Sequence, residues 1–416
     1  MSFITRAFSW LCSLTSFLRP GPEEKKLLTI LEHLLREYSE TGLEMPSGND
    51  VVETLLAASK FGTLGTRQNL LSMAAKSMRN PGNIAVQAEI VHRQSVLLRL
   101  KGDIHGSKRR IQEFLNRSSP ESDLRSHSVL GLLHLSQATN HAYDFDFCQA
   151  HKEAQEWKPP SNHTQRYMDV VWDQVYFAGR TLKGQGYFKE AKHFFERCLA
   201  VDGLRESKRI LIRSSLADLY SELDYLQSQG SNSNNSEQCA APEISFLDNA
   251  EEMVLPEIEL LKARGHYSKG FRRLLLVLIE VEIRRYRFDN AEVLITEILG
   301  IYSRLTEPDI VDRLGHVRAL IARARISPLS EAEGRWSDAL KWNRKYNPLE
   351  EEVFTCALVR LFICSTRFQL GNLDGGRAAF IHAMEILSGK MRQFLMPGVG
   401  TYLFDSVLLQ IKSVAD

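Results

Sequence analysis

Three histidines recur at seven-residue intervals, at His127, His134 and His141. This spacing places them on one side of a helix, where imidazole groups can bind a metal ion or gain charge as the pH falls. No cysteine or carboxylate completes a set of metal ligands. We therefore favour the other interpretation, that they are ordinary half-exposed helix residues, and we expect no metal ion or other cofactor.

The sequence lacks the patterns of common catalytic sites. It contains no H-E-x-x-H, no G-x-S-x-G and no phosphate-binding G-x-x-x-x-G-K segment. Two acidic runs begin at Glu251 and Glu350, and such runs suit the starts of solvated helices, where negative charge complements the helix dipole. We expect no catalytic residues and a protein that is not an enzyme.

The charge balance argues against a general affinity for nucleic acid. The 52 lysines and arginines nearly equal the 51 aspartates and glutamates, which leaves a formal net charge of +1. Two small basic clusters are the exception, and an RNA or phosphate contact there is the alternative to solvated helix ends. Their members are Lys101, Lys108, Arg109 and Arg110 in the first cluster, and Arg284, Arg285 and Arg287 in the second.

One segment, residues 179–201, shows how the chain is built. It reads GRTLKGQGYFKEAKHFFERCLAV. Gly186 is expected to end a first helix, because a residue without Cβ closes a tight turn. Ala191 is small where two helices must approach, and Phe195 and Cys198 continue its apolar face at helical spacing. The segment predicts the turn and second helix of a helical hairpin.

Weaker copies of this segment recur roughly every 40 residues. We call the small-residue position of each copy, represented by Ala191, the anchor. The wider interval between the third and fourth anchors contains a polar insertion at 227–243. The anchors are Ser107, Ala150, Ala191, Ala250, Ala291, Ala339 and Gly376.

The pattern of Gly186, Phe188 and Ala191 resembles that of the tetratricopeptide-repeat-like helical superfamily, in its longer-helix variety. The resemblance covers about residues 84–387, although Leu182 stands where the family has an aromatic residue in the first helix. It implies an all-α fold, a right-handed superhelical α-solenoid of antiparallel helix pairs.

The expected organisation has four parts. Residues 1–22 form an amphipathic segment, 23–82 a helical cap or degenerate repeats, 83–388 the repeat array, and 389–416 a capping helix. Low complexity predicts disorder for the insertion at 227–243. Within the array we expect Pro256 to kink or start a helix, and another helix to begin at Ser337.

The resemblance also implies a binding groove lined by the first helix of each pair. The matching positions that favour a peptide contact are His92, Arg99, Tyr176, Arg180 and Lys183, because an aromatic ring beside cations suits an acidic or C-terminal peptide. Helix packing is the alternative role for these residues. The Lys/Asn set of chaperone-binding members is absent. Further groove positions are Val96, Leu135, Thr139, Leu276, Glu280, Ile283, Leu361, Ser365 and Phe368.

These observations favour a non-enzymatic scaffold or adaptor that binds another protein or peptide. The alternatives are an RNA-binding helical-repeat protein and an all-helical enzyme of another type. Six cysteines without a C-x-x-C pair indicate reduced thiols and a cytoplasmic protein. Residues 1–19 suit a cap, peripheral membrane contact or a mitochondrial presequence.

Overall fold

The computed structural model describes residues 49–59, 63–78, 83–117, 127–159, 165–231, 245–346, 353–390 and 402–415. All regular secondary structure within these ranges is α-helical. The helices are α1 Asn49–Ala58, α2 Leu64–Ser77, α3 Ile84–Lys101, α4 Ile104–Arg117, α5 Ser128–Tyr143, α6 Phe147–Ala154, α7 Gln165–Gly184, α8 Phe188–Leu199, α9 Glu206–Ser231, α10 Phe246–Ala263, α11 Lys269–Arg284, α12 Phe288–Ser303, α13 Ile310–Ile326, α14 Leu329–Tyr346, α15 Val353–Gln369, α16 Leu373–Lys390 and α17 Tyr402–Ala415.

Several helices begin at side chains that cap their first turn. Asn83 accepts a hydrogen bond from the backbone N–H of Val86 at the start of α3. The Asp309 carboxylate accepts from the backbone N–H groups of Val311 and Asp312 at the start of α13. Each cap satisfies donors that have no partner within the helix, which fixes the first turn in place.

The tight turns between paired helices place one residue in the left-handed region, five positions before an anchor. Three of these residues are the glycines Gly102, Gly186 and Gly371, with φ of +96°, +84° and +77°. The other two are Phe145 and Tyr286, with φ of +60° and +58°. The predicted hairpin turn therefore forms at all five positions, including two where the residue type opposes it.

The anchors lie in the cores, as the repeat pattern predicts. Ser107, Ala150, Ala191, Ala250, Ala291 and Ala339 are each 0% exposed. Gly376 is buried against Phe368, whose ring leaves no room for a Cβ at the glycine. The predicted register of the helix pairs is confirmed by this burial.

The chain divides into two compact units. Unit 1 comprises residues 1–144 and 152–171, and unit 2 comprises 145–151 and 172–416. The division falls inside the predicted array, within α7. Residues 1–48 lie outside the described ranges, so the predicted amphipathic segment and the start of the predicted cap stay predictions.

Two apolar cores lie within the described residues of unit 1. Leu55 of α1, Leu70 and Leu71 of α2 and Ile90 of α3 form one. Ile111 of α4 and residues of α3 and α5 form the other. The pairing of α3 with α4, and the packing of α3 on α5, follow the order expected of stacked hairpins.

Unit 2 is organised around α11, whose residues from Leu274 to Ile283 are all buried. It packs against α9, α10, α12 and α13. A helix apolar on nearly every side is typical of the interior of a fold. The polar exceptions on α11, among them Arg272 and Glu280, are ion-paired to neighbouring helices.

Two predicted boundaries need correction, and one of the two alternatives expected at Pro256 is excluded. The helix expected to begin at Ser337 begins at Leu329. Pro328 directly precedes it, and proline is favoured at the start of a helix. The helix before the insertion continues to Ser231, so residues 227–231 are helical, and 232–243 lie outside the described residues. Pro256 lies inside α10 and does not start a helix.

No helix in the described part of the chain is long and apolar enough to cross a membrane.

Candidate functional site

A charged network crosses the first helices of the pairs in unit 2. The Arg318 Nη2 of α13 donates to the Asp218 Oδ1 of α9 at 2.9 Å, although α11 packs between these two helices. Lys183 of α7 binds the other carboxylate oxygen of Asp218. Helices α9 and α13 must therefore converge over α11. We call this converging surface, from Lys183 to Arg325, the inner face of unit 2.

The inner face is internally charge-balanced. Arg284 donates to the Asp224 carboxylate at 2.8 Å and also to a backbone carbonyl of α9. Arg325 donates to the Glu280 Oε2 at 2.7 Å. Lys183 and Arg318 share Asp218, so the four cations are balanced by four carboxylates when the buried Glu222 beside Asp218 is ionised. Each cation has a carboxylate partner, so little net charge remains to attract a ligand.

Glu222 lies one helical turn beyond Asp218 and is 7% exposed. Burial raises the pKa of the Glu222 carboxyl to about 7, and the negative charge of Asp218 adds to this effect. The cations Lys183 and Arg284 oppose it. This carboxyl therefore changes charge near neutral pH, inside a network that is otherwise fixed.

A cavity of about 650 Å³ opens at one end of the inner face. Its walls come from α9, α11, α12, α13, α14, α15 and α17. The volume lies within the range of small-molecule and peptide side-chain pockets. Trp336 forms its floor by stacking on Phe362, with ring centroids 4.6 Å apart and planes 7° from parallel.

The cavity rim carries exposed apolar side chains. Tyr286, Phe288 and Leu329 are 81%, 43% and 37% exposed and line the opening. The rings of Tyr286 and Phe288 meet edge to face, with centroids 6.0 Å apart. A cluster of exposed apolar groups beside a cavity is typical of an interaction surface.

The residues predicted on α7 do not converge on this cavity. Tyr176 is 6% exposed, stacks on Trp172 and bonds Ser215 through its hydroxyl, so its ring belongs to the core. Arg180 is exposed and lies over the Phe177 ring. Lys183 is held by Asp218. The predicted peptide contact at these residues stays a prediction.

His92 and Arg99 lie in unit 1. The Ser136 hydroxyl lies 3.1 Å from His92 Nδ1, and Arg99 donates to the Ser136 carbonyl at 3.1 Å. Burial lowers the pKa of His92 to about 4, so its imidazole is neutral at physiological pH. Arg99 also donates to Asn140 Oδ1. Both residues join α3 to α5, and their peptide contact also stays a prediction.

The wider set of predicted groove positions is divided. Leu276 and Leu361 are buried in the core of unit 2. Ile283 and Ser365 line the cavity. Two of the groove positions implied by the family resemblance therefore lie at the cavity. The lining also includes Tyr225, Arg325, Gln369 and Gln410, which sequence reasoning missed. These residues are far apart in the sequence, so no local sequence pattern indicates that they meet in the fold.

The three spaced histidines have separate roles. His127 caps α5 by accepting from the Val129 backbone N–H. His134 Nδ1 lies 2.8 Å from the Glu153 carboxylate, and His141 lies near Lys108. Across the described ranges, no group of three or more His, Cys, Asp or Glu side chains is arranged to hold a metal ion.

The second basic cluster is neutralised by acidic side chains. Arg285 pairs with Asp248 and Glu251, and Arg287 lies near Glu251 and Glu282. In the first cluster, Lys108 pairs with Asp144. Phosphate groups would have to compete with these carboxylates, which weakens the RNA-binding alternative.

No protein-family model and no curated protein matches this sequence. Solved structures do. A Rap protein complexed with competence and sporulation factor is 13% identical, with 78% of this chain and 87% of that chain covered and a TM-score of 0.50. Apo RapI is 10% identical over 95% of this chain and 98% of that chain, with a TM-score of 0.45. Yeast Tom70 is 12% identical, with 95% of this chain and 75% of that chain covered and a TM-score of 0.39. On the first of these likenesses and the helix pairing above, the chain has the tetratricopeptide-repeat-like all-α solenoid fold.

Proposed function

We propose that this chain is a non-enzymatic protein-interaction scaffold or adaptor that binds a partner protein on the inner face of unit 2. The observation that carries this proposal is the cavity at the end of that face, with its exposed aromatic rim beside a charge-balanced network. A binding surface of this kind needs shape and apolar area rather than reactive groups.

The similar Rap protein is complexed with competence and sporulation factor. This supports the idea that the same helical architecture can hold a second molecule, and we extend it to the present chain. We further propose a cytoplasmic location, with residues 1–19 providing a cap, a membrane contact or a targeting segment.

Affinity purification of the full-length tagged chain, with quantitative mass spectrometry, tests the proposal. We expect one or a few proteins in near-stoichiometric amounts, retained after nuclease treatment. Gln369→Lys, in the lining of the cavity at the end of the inner face, should reduce recovery. Val293→Lys, on the exposed side of α12, should not. Loss of all partners after nuclease treatment, or equal recovery by both variants, would contradict it.

A further inference from the structure

We propose that the cavity of unit 2 binds an extended, uncharged polypeptide segment and takes one large apolar side chain of that segment onto Trp336. This inference rests on the proposed function and specifies the ligand class. It differs from the acidic or C-terminal peptide that the sequence favours for the residues on α7.

The Trp336 ring at the floor of the cavity offers apolar contact. Trp336 is 2% exposed and stacks on Phe362. Its single donor, Nε1–H, is already bonded to the Thr366 hydroxyl at 3.1 Å. A side chain that reaches this floor gains apolar burial and finds no polar group of the indole to bond.

The two cations of the lining are unsuited to a ligand carboxylate. The side chains of Arg284 and Arg325 are 11% and 14% exposed, and Asp224 and Glu280 neutralise them. An acidic ligand would have to compete with these carboxylates, and displacing Glu280, which is 10% exposed, would leave it buried without its partner. Charge complementarity therefore favours a ligand segment without charges.

The cavity lining also contains uncharged hydrogen-bonding groups. Gln369 donates to Ser365, and Ser365 donates to Gln410, both across long distances of 3.4 Å. Such bonds are weak and easily exchanged. Amide and hydroxyl groups can both donate and accept, so they match the alternating N–H and C=O groups of an extended backbone.

The rim completes the site. Tyr286 and Phe288 present their rings at the opening, where they can cover the apolar side chain after it enters. Aromatic residues at such positions supply a large share of binding energy at small entropic cost.

Selection of a random peptide library displayed on phage against the full-length chain provides the probe. Enriched peptides, synthesised with a fluorescent label, are titrated by anisotropy at low and high salt. We expect a consensus with one large apolar residue and no required acid, and a Kd that changes by less than about twofold with salt.

Variants locate the site. Tyr286→Gly and Phe288→Ala should each raise the Kd by about tenfold or more. Tyr187→Ala is the control, because Tyr187 is also an exposed aromatic residue in a turn but is not part of the cavity lining. It should leave the Kd unchanged. Thermal unfolding of each variant checks that it is folded.

Four outcomes would overturn the inference: no enriched peptide, an acidic consensus, strong salt dependence, or equal weakening by the Tyr187 control. Stoichiometric partner recovery that Tyr286→Gly and Phe288→Ala leave intact would also overturn it while the proposed function stands. Absence of any recovered partner would instead remove the proposed function itself.

Discussion

Gly179 of α7 faces the ring of Phe195 of α8 so closely that a Cβ at the glycine would lie 2.8 Å from Phe195 Cε1. Phe195 is fully buried, so its ring has little freedom to move away. The glycine of the first helix and the bulky residue of the second are therefore one packing unit, which sets the distance between the paired helices.

Gly179→Ala should lower the free energy of unfolding by about 1–3 kcal/mol, because the added methyl group overpacks a rigid contact. Gly300→Ala in α12 is the matched control, since a Cβ there meets no atom within 4 Å. It should instead stabilise by about 0.5–1 kcal/mol through helix propensity. Denaturant unfolding monitored by circular dichroism distinguishes the two, and equal effects would contradict the packing argument.

The contact between Gly179 and Phe195 could be predicted from sequence because both residues belong to one hairpin with a recognisable pattern. The same holds for the buried anchors and for the turns at Gly102, Gly186 and Gly371. At Tyr286 only the spacing to the anchor Ala291 indicated the turn, since an aromatic residue does not itself favour the left-handed region.

The inner face could not be predicted in the same way. Asp218 and Arg318 are separated by 100 positions, and their meeting depends on how successive pairs rotate relative to one another. The cavity depends on α17 packing against α15, which no repeat pattern encodes. Tyr176, assigned to the groove by family resemblance, is buried and stacks on Trp172, and its predicted peptide contact stays a prediction.

Arg272 and Asp312 form a buried ion pair between α11 and α13, with side chains 7% and 8% exposed and a shortest contact of 2.6 Å. Arg272→Met should destabilise the protein by about 3–5 kcal/mol, because it leaves the aspartate buried without a partner. The double variant Arg272→Met/Asp312→Leu should recover most of this loss. Urea unfolding of the single and double variants measures the coupling.

The pair of Arg318 and Asp218 is the control for burial. The Arg318 side chain is 47% exposed, so solvent screens the interaction. Arg318→Gln should cost no more than about 1 kcal/mol. A loss comparable to that of Arg272→Met would show that the bridge across α11 is a main determinant of stability.

Glu222 should make stability depend on pH. Its pKa is raised to about 7 by burial, above the value of about 4.3 for an unfolded glutamate. Its contribution is therefore fully present below about pH 4 and is lost as the pH rises through about 7. Glu222→Gln should raise the free energy of unfolding at pH 8 by about 3 kcal/mol and change it little at pH 4.

Thermal or urea unfolding at several pH values tests this dependence. If Glu222→Gln gives a curve parallel to that of the wild-type protein, the pKa of Glu222 is not raised in the native state.

Tyr286 provides the last prediction, because it is 81% exposed and has φ of +58°. Left-handed backbone costs a residue with Cβ about 1–2 kcal/mol, and glycine avoids that cost. Glycine also destabilises the folded state by about 0.5–1 kcal/mol, because it has more freedom in the unfolded chain. Tyr286→Gly should therefore raise the free energy of unfolding by about 0.5–1 kcal/mol. At Tyr187, where φ is −82°, the same change to glycine should destabilise. If peptide binding is lost in the Tyr286 variant while its stability rises, the strained turn is retained for the ring that it presents at the cavity.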